Sequence, residues 1–159
     1  MCCAVFAKAV ISGYIMQCGS GIYANHPALR TDDAEMKRMM LSGKIHTAHL
    51  TDCKIDYEGS LEIDPELLAE ANILPYEKIL VSNRNNGSRL ETYAIPGEPG
   101  RRRFCLNGPA ARLGRVGDVV TIMAFSAVDD ADARDWSPRV IVLDDDNRIK
   151  LRKGKGGKN

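Results

Sequence analysis

Short apolar runs separated by turn residues occupy the chain from residue 39 onward, and this pattern constrains the fold more than any other feature. Runs of this length, bounded by glycine, proline, asparagine or aspartate, are typical of strands. We therefore predict an all-β chain, closed or sandwiched, with few helices. The predicted strands cover residues 41–50, 55–63 with a break at Gly59, 78–83, 88–95, 103–106 and 118–125, and an edge strand covers 140–143.

Asn85-Asn86-Gly87 is the clearest turn in the chain. Asparagine and glycine tolerate positive φ, which the tight turns of hairpins require. The segment therefore predicts a β-hairpin between the strands 78–83 and 88–95.

Two short helical segments are predicted between the strands. Asp64 can cap the first one, and Pro65 suits its first turn because an amide there needs no helical partner. The buried face of this helix would consist of Leu67, Leu68 and Ala71. A second helical turn is expected over residues 107–113, closed by Gly114.

The charges of the chain are balanced, with 22 lysines and arginines against 21 aspartates and glutamates and a net charge of +1 over 159 residues. This balance indicates one ordinary domain outside the membrane, and it offers no excess of positive charge for a nucleic acid. Five cysteines without a C-x-x-C pair favour neither a disulfide framework nor a zinc site. A reducing cytoplasm fits this cysteine usage best.

The two ends differ from the middle of the chain. Residues 1–35 show no clear period, so we interpret them as an extension, or as the result of a start codon placed too far upstream of Met36. Export is disfavoured because Lys8 lies inside the apolar part of the segment. Residues 144–159 form a basic tail that we expect to be disordered, with six basic and no acidic side chains from 148 onward.

Common catalytic signatures are missing, including a Walker loop, G-x-G-x-x-G after a strand, H-E-x-x-H and G-x-S-x-G. His46 and His49 point to opposite faces of a strand, so they are not expected to form a metal pair, and no metal site is predicted. Lys44 and His46 share a face. The pattern alone leaves open whether that face lines an anion-binding cleft or meets solvent.

The strand after the hairpin turn carries Arg89, Glu91 and Tyr93 on one face and Leu90, Thr92 and Ala94 on the other. An arginine fork suits a carboxylate and a tyrosine can deliver a proton, but an exposed arginine and a packed tyrosine are the simpler interpretation. Gly59-Ser60 places a hydroxyl beside a carbonyl carbon, yet Gly19-Ser20 and Gly87-Ser88 do the same. Only the surrounding residues can distinguish the three dipeptides.

The surroundings of Gly59-Ser60 are distinctive. Five segments occur in order: MMLSGKIH at 39–46, YEGS at 57–60, NGSRLETY at 86–93, NGPAAR at 107–112 and VGDVV at 116–120. Together they resemble the pyruvoyl-dependent aspartate 1-decarboxylase family, at family-like spacing, from about residue 36 to about residue 143. The family's usual start corresponds to Met36, which agrees with a start codon placed too far upstream.

The resemblance implies a double-psi β-barrel with short helices over residues 36–143. It also implies a homotetramer with active sites between subunits. Self-cleavage between Gly59 and Ser60, with or without a maturation factor, would give a short β chain and a longer α chain.

The implied maturation converts Ser60 into a covalent pyruvoyl cofactor. The Ser60 hydroxyl would attack the Gly59 carbonyl, and Thr92 would stabilise the oxyanion. Glycine at position 59 is expected to allow a turn that a β-carbon would hinder. Tyr57 and Glu58 complete the cleavage motif, and the residues themselves give no chemical part to Glu58.

The activity implied by the resemblance is decarboxylation of L-aspartate to β-alanine and carbon dioxide, for pantothenate and coenzyme A synthesis. The pyruvoyl ketone would form a Schiff base with the substrate and accept the electrons that carbon dioxide leaves behind. Tyr93 would then return a proton to the α-carbon, and His46 would help to position groups in the cleft. The residues implied in substrate binding are Lys44, Arg89, Thr92, Asn107, Gly108, Pro109 and Ala110.

Two points of the sequence do not fit the resemblance simply. The common family form has alanine where this chain has Pro109, which donates no hydrogen bond, so an anion there depends on the amides of Gly108 or Ala110. Thr92 and Tyr93 lie on opposite faces of an ideal strand, so a bend or a subunit boundary has to bring them to one site. The alternatives are a non-catalytic oligomeric β-barrel binding module and an amidase or protease that uses Ser60 directly in an intact chain.

Overall fold

The computed structural model of the chain describes residues 36–156. The strands of this region are β1 (Lys37–His49), β2 (Asp52–Lys54), β3 (Ser60–Ile63), β4 (Lys78–Asn83), β5 (Arg89–Pro96), β6 (Phe104–Asn107), β7 (Val119–Asp129), β8 (Arg139–Leu143) and β9 (Ile149–Gly154). They are joined by two α-helices, α1 (Pro65–Ala71) and α2 (Asp130–Ala133), and by a 3-10 helix (Gly108–Leu113). The predicted extension, residues 1–35, lies outside the described residues.

The strands form one mixed sheet in the order β2-β6-β3-β5-β4-β7-β1-β8-β9. Three pairs are parallel, namely β1 with β8, β2 with β6 and β3 with β5. The other neighbouring pairs are antiparallel. A tight turn cannot join two parallel neighbours, so a longer crossover connection separates the strands of each parallel pair in the sequence. The prediction of a mainly β, barrel-like fold with short helices is confirmed.

The hairpin predicted around Asn85-Asn86-Gly87 is also confirmed. Strands β4 and β5 pair antiparallel, with Ser82 opposite Arg89 and Lys78 opposite Tyr93. Gly87 adopts a φ of 74°, a conformation that glycine reaches without the strain of a β-carbon.

Helix α1 begins as the sequence predicts. The Asp64 carboxylate accepts a hydrogen bond from the Glu66 backbone N–H, with 3.0 Å between nitrogen and Oδ1. Leu67, Leu68 and Ala71 are buried, which places the apolar face of the helix against the sheet.

The core lies between the strands and α1, and it brings β3 and β6 together. Phe104, Ile45, Leu50, Leu61 and Ile63 are among its largest fully buried side chains. Because Leu61 and Phe104 belong to neighbouring strands, burial of their apolar surface stabilises the β3–β6 register. That register sets Ser60 directly opposite Asn107.

The extended stretch predicted over residues 55–63, with a break at Gly59, is confirmed for residues 60–63 and wrong for residues 55–58, which form no strand. Strand β2 pairs parallel with β6, whereas β3 pairs antiparallel with the other edge of β6. The chain must therefore reverse direction between Lys54 and Ser60. The reversal takes place in residues 55–59, which form a loop across the end of β6, with 55–58 exposed and Gly59 half-buried.

Two predictions near the C-terminus also need correction. The segment 140–143, predicted as an edge strand, belongs to β8, which lies inside the sheet between β1 and β9. The tail predicted to be disordered supplies β9, which pairs antiparallel with β8. Backbone pairing does not depend on net charge, and the Arg152 guanidinium also binds the Glu70 carboxylate at 2.8 and 3.0 Å.

None of the helices found in residues 36–156 has the length and apolar character needed to cross a membrane.

Candidate active site

Ser60 is the first residue of β3 and is buried, whereas the preceding loop is exposed. Its hydroxyl oxygen accepts a hydrogen bond from the Asn107 side-chain amide, with 3.0 Å between Oγ and Nδ2. The β3–β6 register that brings these two residues together places the Gly59–Ser60 peptide bond where an exposed loop enters the buried sheet.

Gly108 holds the loop that carries Gly59. It follows the end of β6 and adopts a φ of 63°. A β-carbon on Gly108 would lie 2.7 Å from the Tyr57 carbonyl oxygen and 2.9 Å from both N and Cα of Gly59. The backbone of the loop therefore packs directly on Gly108, and only glycine allows so close an approach.

Gly59 itself does not need to be glycine for lack of space. A β-carbon there would meet only Pro109 Cδ, at an ordinary distance of 3.9 Å, and the φ of Gly59 is not in the left-handed region. The expectation of a hindering β-carbon is thus wrong for Gly59 in the intact chain. The steric restriction falls on Gly108, because this residue lies beneath the loop.

A cavity of about 320 Å³ adjoins Gly59. Four residues implied by the sequence meet there, namely Gly59, Thr92, Pro109 and Ala110. The sequence interpretation missed the other residues of the lining, which are Leu90, Glu91 and Leu113. The only signal for them was their position beside Thr92 and within the predicted helical turn over 107–113.

Tyr93 and Arg89 do not line this cavity. Tyr93 is 37% exposed, and Arg89 is exposed and forms no ion pair with any residue in the range 36–156. Strand β5 is regular here, since every residue from Arg89 to Tyr93 pairs in register with β4. No bend brings Tyr93 to the side of Thr92 within this chain.

Lys44 and His46 lie on β1, which is separated from β5 by β4 and β7. At the usual spacing between strands, this separation is about 14 Å along the sheet. The structure therefore does not bring Lys44 or His46 to the cavity beside Gly59 of the same chain.

His46 has a defined environment of its own. Its Nδ1 lies 3.0 Å from the Thr121 hydroxyl on β7. Burial lowers the pKa of His46, and the positive charges of Lys44, Lys153 and Arg84 lower it further. The ring is consequently neutral at physiological pH, and the nearby positive charge resides on the lysines and the arginine. Within residues 36–156, no group of three or more His, Cys, Asp or Glu side chains is placed to hold a metal ion.

Comparison with known proteins identifies the family. The family model described as aspartate decarboxylase matches residues 36–150. An aspartate 1-decarboxylase from Salinibacter ruber is 51% identical over 114 residues, which cover 72% of this chain and 78% of that protein. One from Desulfitobacterium hafniense is 53% identical over 112 residues, which cover 70% and 88%. One from Thermoanaerobacter pseudethanolicus is 47% identical over 113 residues, which cover 71% and 97%. The chain therefore belongs to the aspartate decarboxylase family.

Proposed function

We propose that this chain is a pyruvoyl-dependent aspartate 1-decarboxylase that converts L-aspartate to β-alanine and carbon dioxide, a step towards pantothenate and coenzyme A. The observation that carries the proposal is the buried Ser60 hydroxyl, hydrogen-bonded to Asn107 and preceded by Gly59 at a cavity. Family membership supplies the substrate, since the relatives are named for aspartate decarboxylation.

Maturation begins at the Gly59–Ser60 peptide bond. Ser60 Oγ attacks the Gly59 carbonyl carbon, the C–N bond breaks, and an ester joins the two segments while the Ser60 nitrogen becomes a free amine. Elimination then breaks the Cβ–Oγ bond and releases the Gly59 carboxylate, leaving dehydroalanine. Water hydrolyses the tautomeric imine, so ammonia leaves and a pyruvoyl group caps the chain that begins at position 60. The products are a segment that ends at Gly59 and a segment that begins at position 60.

Two side chains are our candidates to assist these steps. Thr92 lines the cavity beside Gly59, and its hydroxyl is our candidate donor to the oxyanion that forms on the Gly59 carbonyl. The Asn107 amide donates to Ser60 Oγ, which gains negative charge when the ester breaks. Glu58 and Tyr57 lie on the exposed loop, and we assign them no proton transfer.

The residues around position 60 fit a pyruvoyl group. The position is buried, a polar donor faces it from Asn107, and Gly108 leaves room at the loop that cleavage releases. When formed, the group supplies an electron sink that no unmodified side chain offers.

The remaining residues bind and orient L-aspartate. Arg89 presents a guanidinium fork for a carboxylate, and the amides of Gly108 and Ala110 are our candidate donors to a second one, whereas Pro109 has no N–H. Tyr93 is our candidate donor of the proton to the α-carbon.

The active site is completed between subunits in a homotetramer. Lys44 lies three strands from β5, so it reaches a cavity only if that cavity belongs to a neighbouring subunit. Tyr93 lies on the opposite face of β5 from Thr92, outside the cavity of its own chain. The packing of subunits in the tetramer is therefore what brings Tyr93 to a substrate. Cys53 and Cys105 are free thiols, which accords with the cytoplasm as the location that we propose.

Intact-mass measurement of the purified protein tests the proposal. We expect two fragments that divide at Gly59-Ser60, with a pyruvoyl mass at the second, and β-alanine formation from L-aspartate. Ser60→Ala should abolish both. Ser88→Ala is the matched control, because it alters another Gly-Ser dipeptide, and it should leave both intact. Incubation of the purified precursor alone reports whether a maturation factor is needed.

An uncleaved wild-type chain with a normal serine that still consumed aspartate would contradict this mechanism. An uncleaved chain without any activity, even after exposure to a cell extract, would favour the non-catalytic oligomeric binding module.

A further inference from the structure

The Asn107 side chain has a second hydrogen-bond partner besides Ser60. The Cys105 thiol, two residues earlier on β6, lies 3.3 Å from Asn107 Oδ1. The other acceptor that the thiol meets among residues 36–156, the Leu106 carbonyl oxygen, is farther away at 3.8 Å. Because a thiol carries one proton, the shorter contact to Asn107 is the better placed of the two.

Cys105, Asn107 and Ser60 therefore form a buried chain of donors and acceptors. All three residues are almost completely inaccessible to solvent, with relative exposures of 0%, 1% and 1%. The Cys105 thiol donates to the Asn107 amide oxygen, and the Asn107 amide nitrogen donates to the Ser60 hydroxyl oxygen. Water cannot readily replace a link, so the partners themselves decide how the amide is oriented.

We infer that Cys105 is a positioning residue for self-cleavage, holding the Asn107 amide with its N–H₂ group towards Ser60 Oγ. This inference rests on the proposed function, because it concerns a step of the proposed maturation. Cys105 does not touch the reacting atoms and acts through Asn107.

The orientation matters because Ser60 Oγ changes its character during maturation. In the resting chain Oγ belongs to a hydroxyl, which could equally donate its proton to an amide oxygen. When the Cβ–Oγ bond breaks, the same oxygen becomes part of the Gly59 carboxylate and carries negative charge. An amide N–H stabilises that charge, whereas an amide oxygen in the same place repels it.

The Cys105 thiol favours the orientation in which the Asn107 N–H₂ group faces Ser60, because the thiol donates a hydrogen bond to the Asn107 amide oxygen. Burial raises the pKa of the Cys105 thiol, and the Asp52 carboxylate raises it further against a lowering by the Arg103 guanidinium. The thiol therefore retains its proton at neutral pH and remains a donor. Without this donor, the amide is free to turn its oxygen towards the Ser60 hydroxyl.

The rate of cleavage in purified precursor, followed by intact mass, tests the inference. Cys105→Ala should cleave about fivefold more slowly, the change expected for the loss of one buried hydrogen bond. Cys105→Ser keeps a donor at the same place and should restore the rate to within about twofold of wild type. Cys53→Ala removes the thiol of the neighbouring strand β2, which forms no hydrogen bond with the Asn107 side chain within residues 36–156, and should cleave at the wild-type rate.

A double-mutant cycle separates positioning from packing. If Cys105 acts through Asn107, then adding Cys105→Ala to Asn107→Ala should slow cleavage by less than about twofold beyond Asn107→Ala alone. Rates are compared on protein with the wild-type circular dichroism spectrum, and Cys105→Thr replaces Cys105→Ser if the latter does not fold.

Three results would overturn the inference while leaving the proposed function intact. In the first, wild type cleaves and Cys105→Ala cleaves equally fast. In the second, Cys105→Ser or Cys105→Thr cleaves as slowly as Cys105→Ala. In the third, Cys105→Ala still slows cleavage about fivefold when it is added to Asn107→Ala. An uncleaved wild type would instead contradict the proposed function itself.

Discussion

Gly108 is the residue on which the geometry of the cleavage loop most directly depends. Its left-handed φ and its close contact with Tyr57 and Gly59 leave no room for a side chain. Gly59 is conformationally ordinary, although it supplies the carbonyl carbon that is attacked. Gly59 thus takes part in the chemistry of the site, whereas Gly108 is the position where a side chain cannot fit.

Gly108→Ala should impair both stability and cleavage. The new methyl group must displace the loop backbone, and the positive φ adds strain, for a total cost of about 2 kcal/mol in the free energy of unfolding. Gly87→Ala is the control, because Gly87 has a similar φ of 74° but no atom within 4 Å of its β-carbon position. We expect Gly87→Ala to lose some stability in thermal unfolding and to cleave at the wild-type rate. Equal cleavage rates in both variants would contradict the role of Gly108.

Tyr93→Phe separates maturation from turnover. Because Tyr93 lies outside the cavity beside Gly59, cleavage should proceed normally in this variant. Loss of a proton donor should lower kcat for β-alanine formation by about 100-fold or more. Tyr76→Phe, at an exposed tyrosine elsewhere, should leave kcat unchanged. Full activity of Tyr93→Phe would remove this residue from its proposed role.

At the scale of elements, the pairing of β6 with two strands that run in opposite directions creates the site. Strand β2 reaches Asn107 along one edge of β6, and β3 leaves from Asn107 along the other. The loop 55–59 must therefore cross the end of β6. This topology packs the backbone of Tyr57 and Gly59 against Gly108 and aligns Ser60 with Asn107.

Strand β9 is an element that charge composition alone did not predict. The ion pair between Arg152 and Glu70 ties it to α1, and hydrogen bonding by Arg152 lowers the pKa of Glu70 despite some opposing desolvation. A carboxyl group with a lowered pKa in the folded state adds stability above its unfolded pKa, and this contribution is lost as pH falls through the folded value.

Arg152→Ala should therefore destabilise the protein slightly at pH 7 and not at all in strong acid. Both partners are more than a third exposed, so the expected loss is only about 0.5 kcal/mol. Urea unfolding at a series of pH values measures the difference from wild type, which should shrink as the pH falls below the ordinary value of 4.5 for glutamate. Lys150→Ala, on the same strand, should show no such pH dependence. A difference that stays constant down to pH 2 would exclude the ion pair as its cause.

At the scale of the whole molecule, the implied site residues divide into two groups. One group lines the cavity beside Gly59 or lies next to it, where Asn107 is hydrogen-bonded to Ser60, and it consists of Gly59, Ser60, Thr92 and residues 107–110. The other group lies outside that cavity, with Lys44 and His46 on β1, three strands from β5, and Arg89 and Tyr93 on β5 itself. This division is the main reason for proposing sites that are shared between subunits.

Complementation tests such sharing. Lys44→Ala and Ser60→Ala should each be inactive, but their co-expression should recover about a quarter of the wild-type activity, because random assembly pairs an intact Lys44 with an intact Ser60 at that fraction of shared sites. Separately purified variants mixed without subunit exchange serve as the control and should remain inactive. No recovery in co-expressed hybrid tetramers would place Lys44 and Ser60 in the site of a single subunit.

The sequence by itself determined the local features of this protein. These features depend only on neighbouring residues, so they can be predicted before the fold is known. They include the alternation of apolar and polar residues, the Asn85-Asn86-Gly87 turn and the start of a helix at Asp64-Pro65. The order and spacing of the five segments around Gly59-Ser60 were likewise sufficient for the family.

Only the tertiary structure decided what depends on pairing between distant segments. The reversal of the chain over residues 55–59, the strand at 149–154 and the contact of Gly108 with the loop all follow from strand order, which no local pattern encodes. The link from Cys105 through Asn107 to Ser60 is of the same kind. It joins two strands whose register is set by burial of the shared core, and hydrogen bonds across a register exist only once the core has formed.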